Sequence, residues 1–148
     1  MMPQAFDLDR FVRAQDGVIE QVRSELSEGR KRSHWMWFVF PQLNGLGHSA
    51  MARQYAVASL EEARAYLKHP ILGPRLVECS ALVNQVKDRS INQIFGSPDD
   101  LKFHSCMTLF SSVEGADSVF QDALAKYFGG APDGRTTEML IRARGHDA

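Results

Sequence analysis

Phe11-Val12-Arg13-Ala14-Gln15-Asp16-Gly17-Val18-Ile19-Glu20-Gln21-Val22-Arg23-Ser24-Glu25-Leu26 is the stretch whose reading decides the fold class. Phe11, Ala14, Val18, Val22 and Leu26 recur at spacings of three and four, which places them on one face of a helix. Asp7 is a candidate cap for its start, and Gly29 stands where a helix end needs a left-handed residue. Gly17 interrupts the span and weakens it as one helix.

The same period returns along the chain. Ser49 opens a short helix to about Tyr55. Ser59-Leu60-Glu61-Glu62 reads as a capping box, with Glu62 reaching back to a free amide. That helix runs to Lys68 and stops at His69-Pro70, because the residue before proline disfavours helix. Pro74 fits the first turn of the next helix, whose stripe is Leu76, Cys79, Leu82, Val83 and Val86. Ser90-Ile91-Asn92-Gln93 is a second box, ending near Gly96. Ser97-Pro98-Asp99-Asp100 reads as an N-cap, a proline at the first helical position and two acids at the positive helix end. Leu101, Met107, Leu109 and Phe110 are expected to pack inward from it. A helix from Ala116 to Phe128 follows, and Gly129-Gly130 ends it. Thr136 or Thr137 is expected to cap a last short helix to Arg142. No period-two run appears. The expectation is an all-α, single multihelical domain over residues 1–148, with about seven helices, several of them short. Loose ends are expected at residues 1–6 and 144–148, and a short hairpin is allowed at the Asn44–Gly47 turn.

Composition agrees with a globular chain. The 148 residues suit one domain, and 44% hydrophobic with 24% charged residues is ordinary. A formal net charge of -1 gives no overall electrostatic case for nucleic acid, which is not expected as a partner. Cys79 and Cys106 form no Cys-x-x-Cys pair or zinc spacing, so no metal and no cofactor are expected. Two thiols fit a reducing compartment. The start of the chain lacks a basic-then-apolar leader, and the longest apolar run, Trp35 to Phe40, is too short to span a bilayer. These features give a cytoplasmic reading without membrane contact. Neither a P-loop nor a dinucleotide fingerprint is present.

The densest cluster of chemistry is Arg30-Lys31-Arg32-Ser33-His34-Trp35-Met36-Trp37-Phe38-Val39-Phe40-Pro41-Gln42, followed by Gly45-Leu46-Gly47. With Gly73-Pro74-Arg75-Leu76, Ile94-Phe95-Gly96-Ser97-Pro98-Asp99-Asp100-Leu101-Lys102 and Tyr127-Phe128-Gly129-Gly130, it resembles the bacterial and fungal family called domain of unknown function 1810. The likeness covers nearly the whole chain. It implies a mainly helical single domain and no established reaction, so it carries over no catalytic residues. Cys106 departs from the serine that the resemblance leads one to expect there.

Read from its residues, the block supports two classes of function. Guanidinium groups pair with phosphate or carboxylate, and aromatic faces stack on bases. The first reading is a pocket for a small anionic ligand, phosphorylated or nucleotide-like, an ADP-ribose-type molecule being one example. Arg32, Trp35, Trp37, Gln42 and Lys102 are its candidate binding residues. In an enzymatic form, a hydrolase, His34 is the candidate general acid or base and Arg32 the anion clamp. The bland alternative makes the aromatic residues core and the cations solvated neighbours. The second class is a non-catalytic protein-protein interaction module, since no catalytic motif is complete and helical surfaces commonly bind partners. Asp99 and Asp100 read first as acids serving the helix dipole. Asp133, Arg135 and Thr136 read either as a surface connection with a cap or as a loop that closes over a ligand. The oligomeric state is left open.

Overall fold

Gly17 splits the first amphipathic span in two. A computed structural model of the protein describes residues 6–147, the side chains of 144–147 excepted. In it α1 covers Asp9–Asp16 and α2 covers Ile19–Ser27. The amphipathic period predicts one helix here. The chain turns at Gly17 and Val18, and the two short helices bury Phe11 from one and Ile19, Val22 and Leu26 from the other. Leu8 rather than Asp7 occupies the N-cap, with no side-chain hydrogen bond. Gly29 does take a positive φ, 73°, just past α2.

Eight more helices follow: α3 Met36–Val39, α4 Ala50–Gln54, α5 Leu60–Lys68, α6 Leu72–Asn84, α7 Ile91–Phe95, α8 Asp99–Ser111, α9 Val119–Phe128 and α10 Gly134–Asp147. Seven of the ten have eight or more residues, roughly the expected count; of the three short ones, α4 and α7 are the short helices expected after Ser49 and Ser90, and α3 is a single turn within the aromatic run. Among the described residues there is no strand. The hairpin allowed near Asn44 is replaced by one parallel bridge, Leu43 to Val57.

The caps follow local chemistry. Ser49, Ser59 and Ser90 each accept from the amide three residues on. The Ser90 box is complete, with Gln93 reaching back to the Ser90 amide. Glu62 instead accepts the Ala58 amide at 2.7 Å and pairs with Arg10 at 3.1 Å, so it ties α5 to α1. At α8 the expected Ser97 cap fails. Pro98 sits at the N-cap position without a side-chain bond, and the helix begins at Asp99. The helix expected from Ala116 begins at Val119, where Asp117 accepts the Val119 amide at 2.8 Å. Asp133, not Thr136 or Thr137, caps α10, accepting the Thr136 amide at 3.1 Å. That helix continues past Arg142 to Asp147. Of the ends expected to be loose, residues 1–5 and 148 lie outside the described residues.

The core gathers around α8, which packs on α5, α7, α9 and α10. Phe103, Cys106, Met107, Leu109 and Phe110 are fully buried, so α8 is apolar on most sides rather than on one stripe. Leu101 contradicts its expected inward placement. It is 62% exposed, on the outward side of the first turn of α8, while Asp99, Asp100 and Lys102 of the same turn are half-buried. No helix among the described residues is long and apolar enough to cross a membrane.

Candidate functional site

The Arg30–Gln42 block divides by side. Trp35, Met36, Phe38, Val39 and Phe40 are buried, as apolar side chains adjoining one another in a single helical turn must be. They join Phe95 and Phe103 in edge-on aromatic contacts of 5.1–6.5 Å. Arg30, Arg32 and His34 face solvent.

An acid outside every motif named above holds this block. Glu25 of α2 is fully buried, yet carries a carboxylate. It accepts from the Arg32 amide at 2.7 Å, the Ser33 amide at 3.0 Å, the Trp35 indole N–H at 3.0 Å and the Gln21 side chain at 2.8 Å, and it also takes the Ser33 hydroxyl. Burial raises its pKa, but the donors from Ser33, Arg32 and Gln21 outweigh that and hold the carboxyl at about 2. The signal was available: Glu25 stands three residues after Val22 and beside Leu26, so the helical period already put an acid on the inward face.

Trp35 therefore offers neither a free ring face nor its N–H to a ligand: the ring is 1% exposed and the N–H goes to Glu25. Arg32 pairs with Glu28 at 2.6 Å on the surface. Lys31 lies 2.9 Å from Asp99 and over the Trp35 ring. Lys102 shares Asp99, at 3.3 Å, and its ammonium lies 5.2 Å above the half-buried Trp37 ring. The acids at the start of α8 thus do more than complement its dipole. Asp99 holds two lysines from different segments, and Asp100 accepts from the Asn92 side chain at 3.1 Å.

Gln42 and Lys102, two of the predicted binding residues, meet in one cavity of about 260 Å³. Its polar lining is completed by Ser105, Asp133 and Arg135, and its apolar lining by Leu46, Pro98 and Leu101. Three chain segments build it: the Gln42–Gly47 turn, the start of α8, and the Asp133 cap with the first turn of α10. Gly47 belongs to the wall; a Cβ there would stand 2.6 Å from that of Ala52. Asp133 ties the wall together, accepting from Ser105 Oγ at 3.3 Å and from Thr136 Oγ1 at 2.6 Å while its own amide donates to Thr108 at 2.8 Å. Lys102 and Arg135 are two cations beside one committed carboxylate, an arrangement suited to an anion. His34, Arg32 and Trp35 do not line this cavity.

Neighbouring groups are already engaged. His104 stacks flat on Phe128, ring centroids 3.9 Å apart, and its Nε2 is 2.8 Å from the Ala131 carbonyl. Cys106 is fully buried in α8, where burial pushes its thiol well above the ordinary range. The serine-to-cysteine departure therefore falls in the core and not in the cavity. Among the described residues no group of three or more His, Cys, Asp or Glu could hold a metal ion.

Comparison with known proteins agrees with the likeness read from the motifs. No curated protein matches the chain. A solved structure does: the crystal structure at 1.38 Å of the conserved hypothetical protein Rv1873 from Mycobacterium tuberculosis. It is 60% identical, with 92% of this chain and 97% of that chain covered and a TM-score of 0.91. The family model described as protein of unknown function DUF1810 matches residues 5–140, and this chain belongs to that family.

Proposed function

We propose that the cavity beside Gln42 and Lys102 binds a small phosphorylated or nucleotide-like ligand, an ADP-ribose-type molecule being the working example. The observation that supports this is the convergence of Gln42, Lys102, Ser105 and Arg135 on one cavity from separate segments. Lys102 and Arg135 supply the charge for a phosphate, and Arg adds a planar fork that pairs two oxygens. Gln42 supplies an amide for a polar edge. Leu46, Pro98 and the exposed Leu101 supply an apolar rim on which a ring or sugar face can rest. The cavity is small, so it grips the anionic end and leaves the remainder of a nucleotide against that rim. His34 lies outside the lining, so the geometry favours binding over the hydrolase form in which His34 is the acid or base.

A thermal-shift screen against nucleotides, ADP-ribose, NAD and sugar phosphates tests this. Ligand at about 100 times its Kd adds about 2.7 kcal/mol, which is roughly 5–10 °C for a chain of this size. Lys102→Ala and Arg135→Ala should each abolish most of the shift, and His34→Ala should leave it. A shift lost in His34→Ala but kept in the other two would move the site to the exposed side of the block. No shift with any compound would remove the reading.

A further inference from the structure

A second cavity, larger than the first and sharing no lining residue with it, lies on another part of the surface. It opens between α5, the start of α6 and the loop from α8 to α9, and has a volume of about 560 Å³. That falls within the roughly 300–1,000 Å³ of small-molecule sites. We propose that this cleft binds a small monocarboxylate with a hydrocarbon body.

The floor is hydrocarbon. Leu67, Val77, Val113 and Phe120 line it, and Phe120 and Val113 belong to the buried core. Gly73 shapes the wall: a Cβ there would stand 2.1 Å from the Leu67 carbonyl oxygen, so α6 can start hard against the end of α5 only with glycine. A polar ligand would leave this floor without contacts, whereas a hydrocarbon one replaces water over apolar surface.

The rim carries charge of opposite sign on its two sides. Arg64 and Lys68 stand one turn apart on α5, and like charges at that spacing repel. Among the described residues neither takes part in an ion pair. Glu114 and Asp117 stand on the loop side, with Asp117 already accepting the Val119 amide. A single carboxylate placed between Arg64 and Lys68 relieves their repulsion. A second anion would meet the acidic rim, which disfavours phosphorylated polyanions and separates this ligand class from that of the first cavity.

Titration calorimetry with decanoate, decanol and inorganic phosphate as probes tests the proposal. The variants are the double charge reversal Arg64→Glu with Lys68→Glu, and Ala116→Phe, which fills the cleft from its exposed side. Decanoate should bind one per chain. The double variant should weaken it by about tenfold or more, the size of a lost charge-assisted hydrogen bond. Decanol should bind the native chain about as weakly as decanoate binds that variant, phosphate should not bind, and Ala116→Phe should abolish binding. Decanoate that fails to bind, or that binds the charge-reversed chain equally well, would overturn the proposal. Failure of decanoate to bind, together with self-association of the native chain that Ala116→Phe abolishes, would overturn it too and give the cleft to a second copy. If Ala116→Phe does not fold, the charge-reversal pair and decanol decide, since both altered side chains are exposed.

Discussion

Glu25 and Asp133 are both acids that collect hydrogen-bond donors, and the difference between their surroundings separates scaffold from candidate site. Glu25 is sealed under the aromatic block and takes five donors, from Gln21, Arg32, Ser33 and Trp35. Among the described residues it forms no ion pair, and it lines neither of the two cavities. Asp133 is half-buried, caps a helix, and shares its cavity wall with Lys102 and Arg135. A carboxylate surrounded by neutral donors fixes a chain path. A carboxylate beside cations that still face open space belongs to a surface that can take a ligand. The Arg30–Gln42 block runs between the two: its first half is tied to Glu25, and its last residue, Gln42, lines the cavity.

The largest test of that contrast is Glu25→Ala. It leaves two part-buried backbone amides, a buried indole N–H, the Ser33 hydroxyl and the Gln21 side chain without their acceptor, and should cost about 3–5 kcal/mol. Urea denaturation would show the midpoint fall; an unchanged midpoint would mean that solvent replaces the carboxylate and that Glu25 is no scaffold. The same carboxyl predicts a pH dependence. Its folded pKa of about 2 lies below the ordinary 4.5, so its contribution is complete above about pH 4.5 and is lost as pH falls toward 2. The loss should be on the order of 2–3 kcal/mol, read as the difference in urea midpoint between pH 6 and pH 3, and Glu25→Gln should flatten that part of the profile.

Effects on the cavity side should be smaller in stability and larger in binding. Lys102→Ala removes one exposed-edge ion pair and one ring contact, so it should cost about 1 kcal/mol or less while abolishing a ligand-induced thermal shift. Loss of stability comparable to Glu25→Ala would make Lys102 part of the scaffold. Smallest of all, His34→Ala should change stability by no more than about 0.5 kcal/mol, because the side chain faces solvent. A larger change in melting temperature would show that His34 has a structural partner.

Some of the candidate cavity's lining was legible before the structure. Gln42 and Lys102 stood out by type and motif, and Asp133 with Arg135 by their place after the double glycine. That they share a cavity was not legible, because 60 residues separate Gln42 from Lys102 and only the packing of α10 on α8 brings Asp133 to both. Trp35 misled for a similar reason: an indole can stack on a ligand or fill a core, and its neighbour Glu25 lies a helix away.

By itself the sequence determined what depends on near neighbours. Helical periods, the serine caps at positions 49, 59 and 90 and the glycine ends follow from backbone sterics and from hydrogen bonds three or four residues apart. The family likeness rests on the same local motifs. Only the tertiary structure decided the break at Gly17, the outward turn of Leu101, the use of Glu62 to hold Arg10, and which aromatic residues are sealed. Each of those outcomes depends on burial and on partners distant in the chain, and a buried charge is stable only where folding delivers its donors.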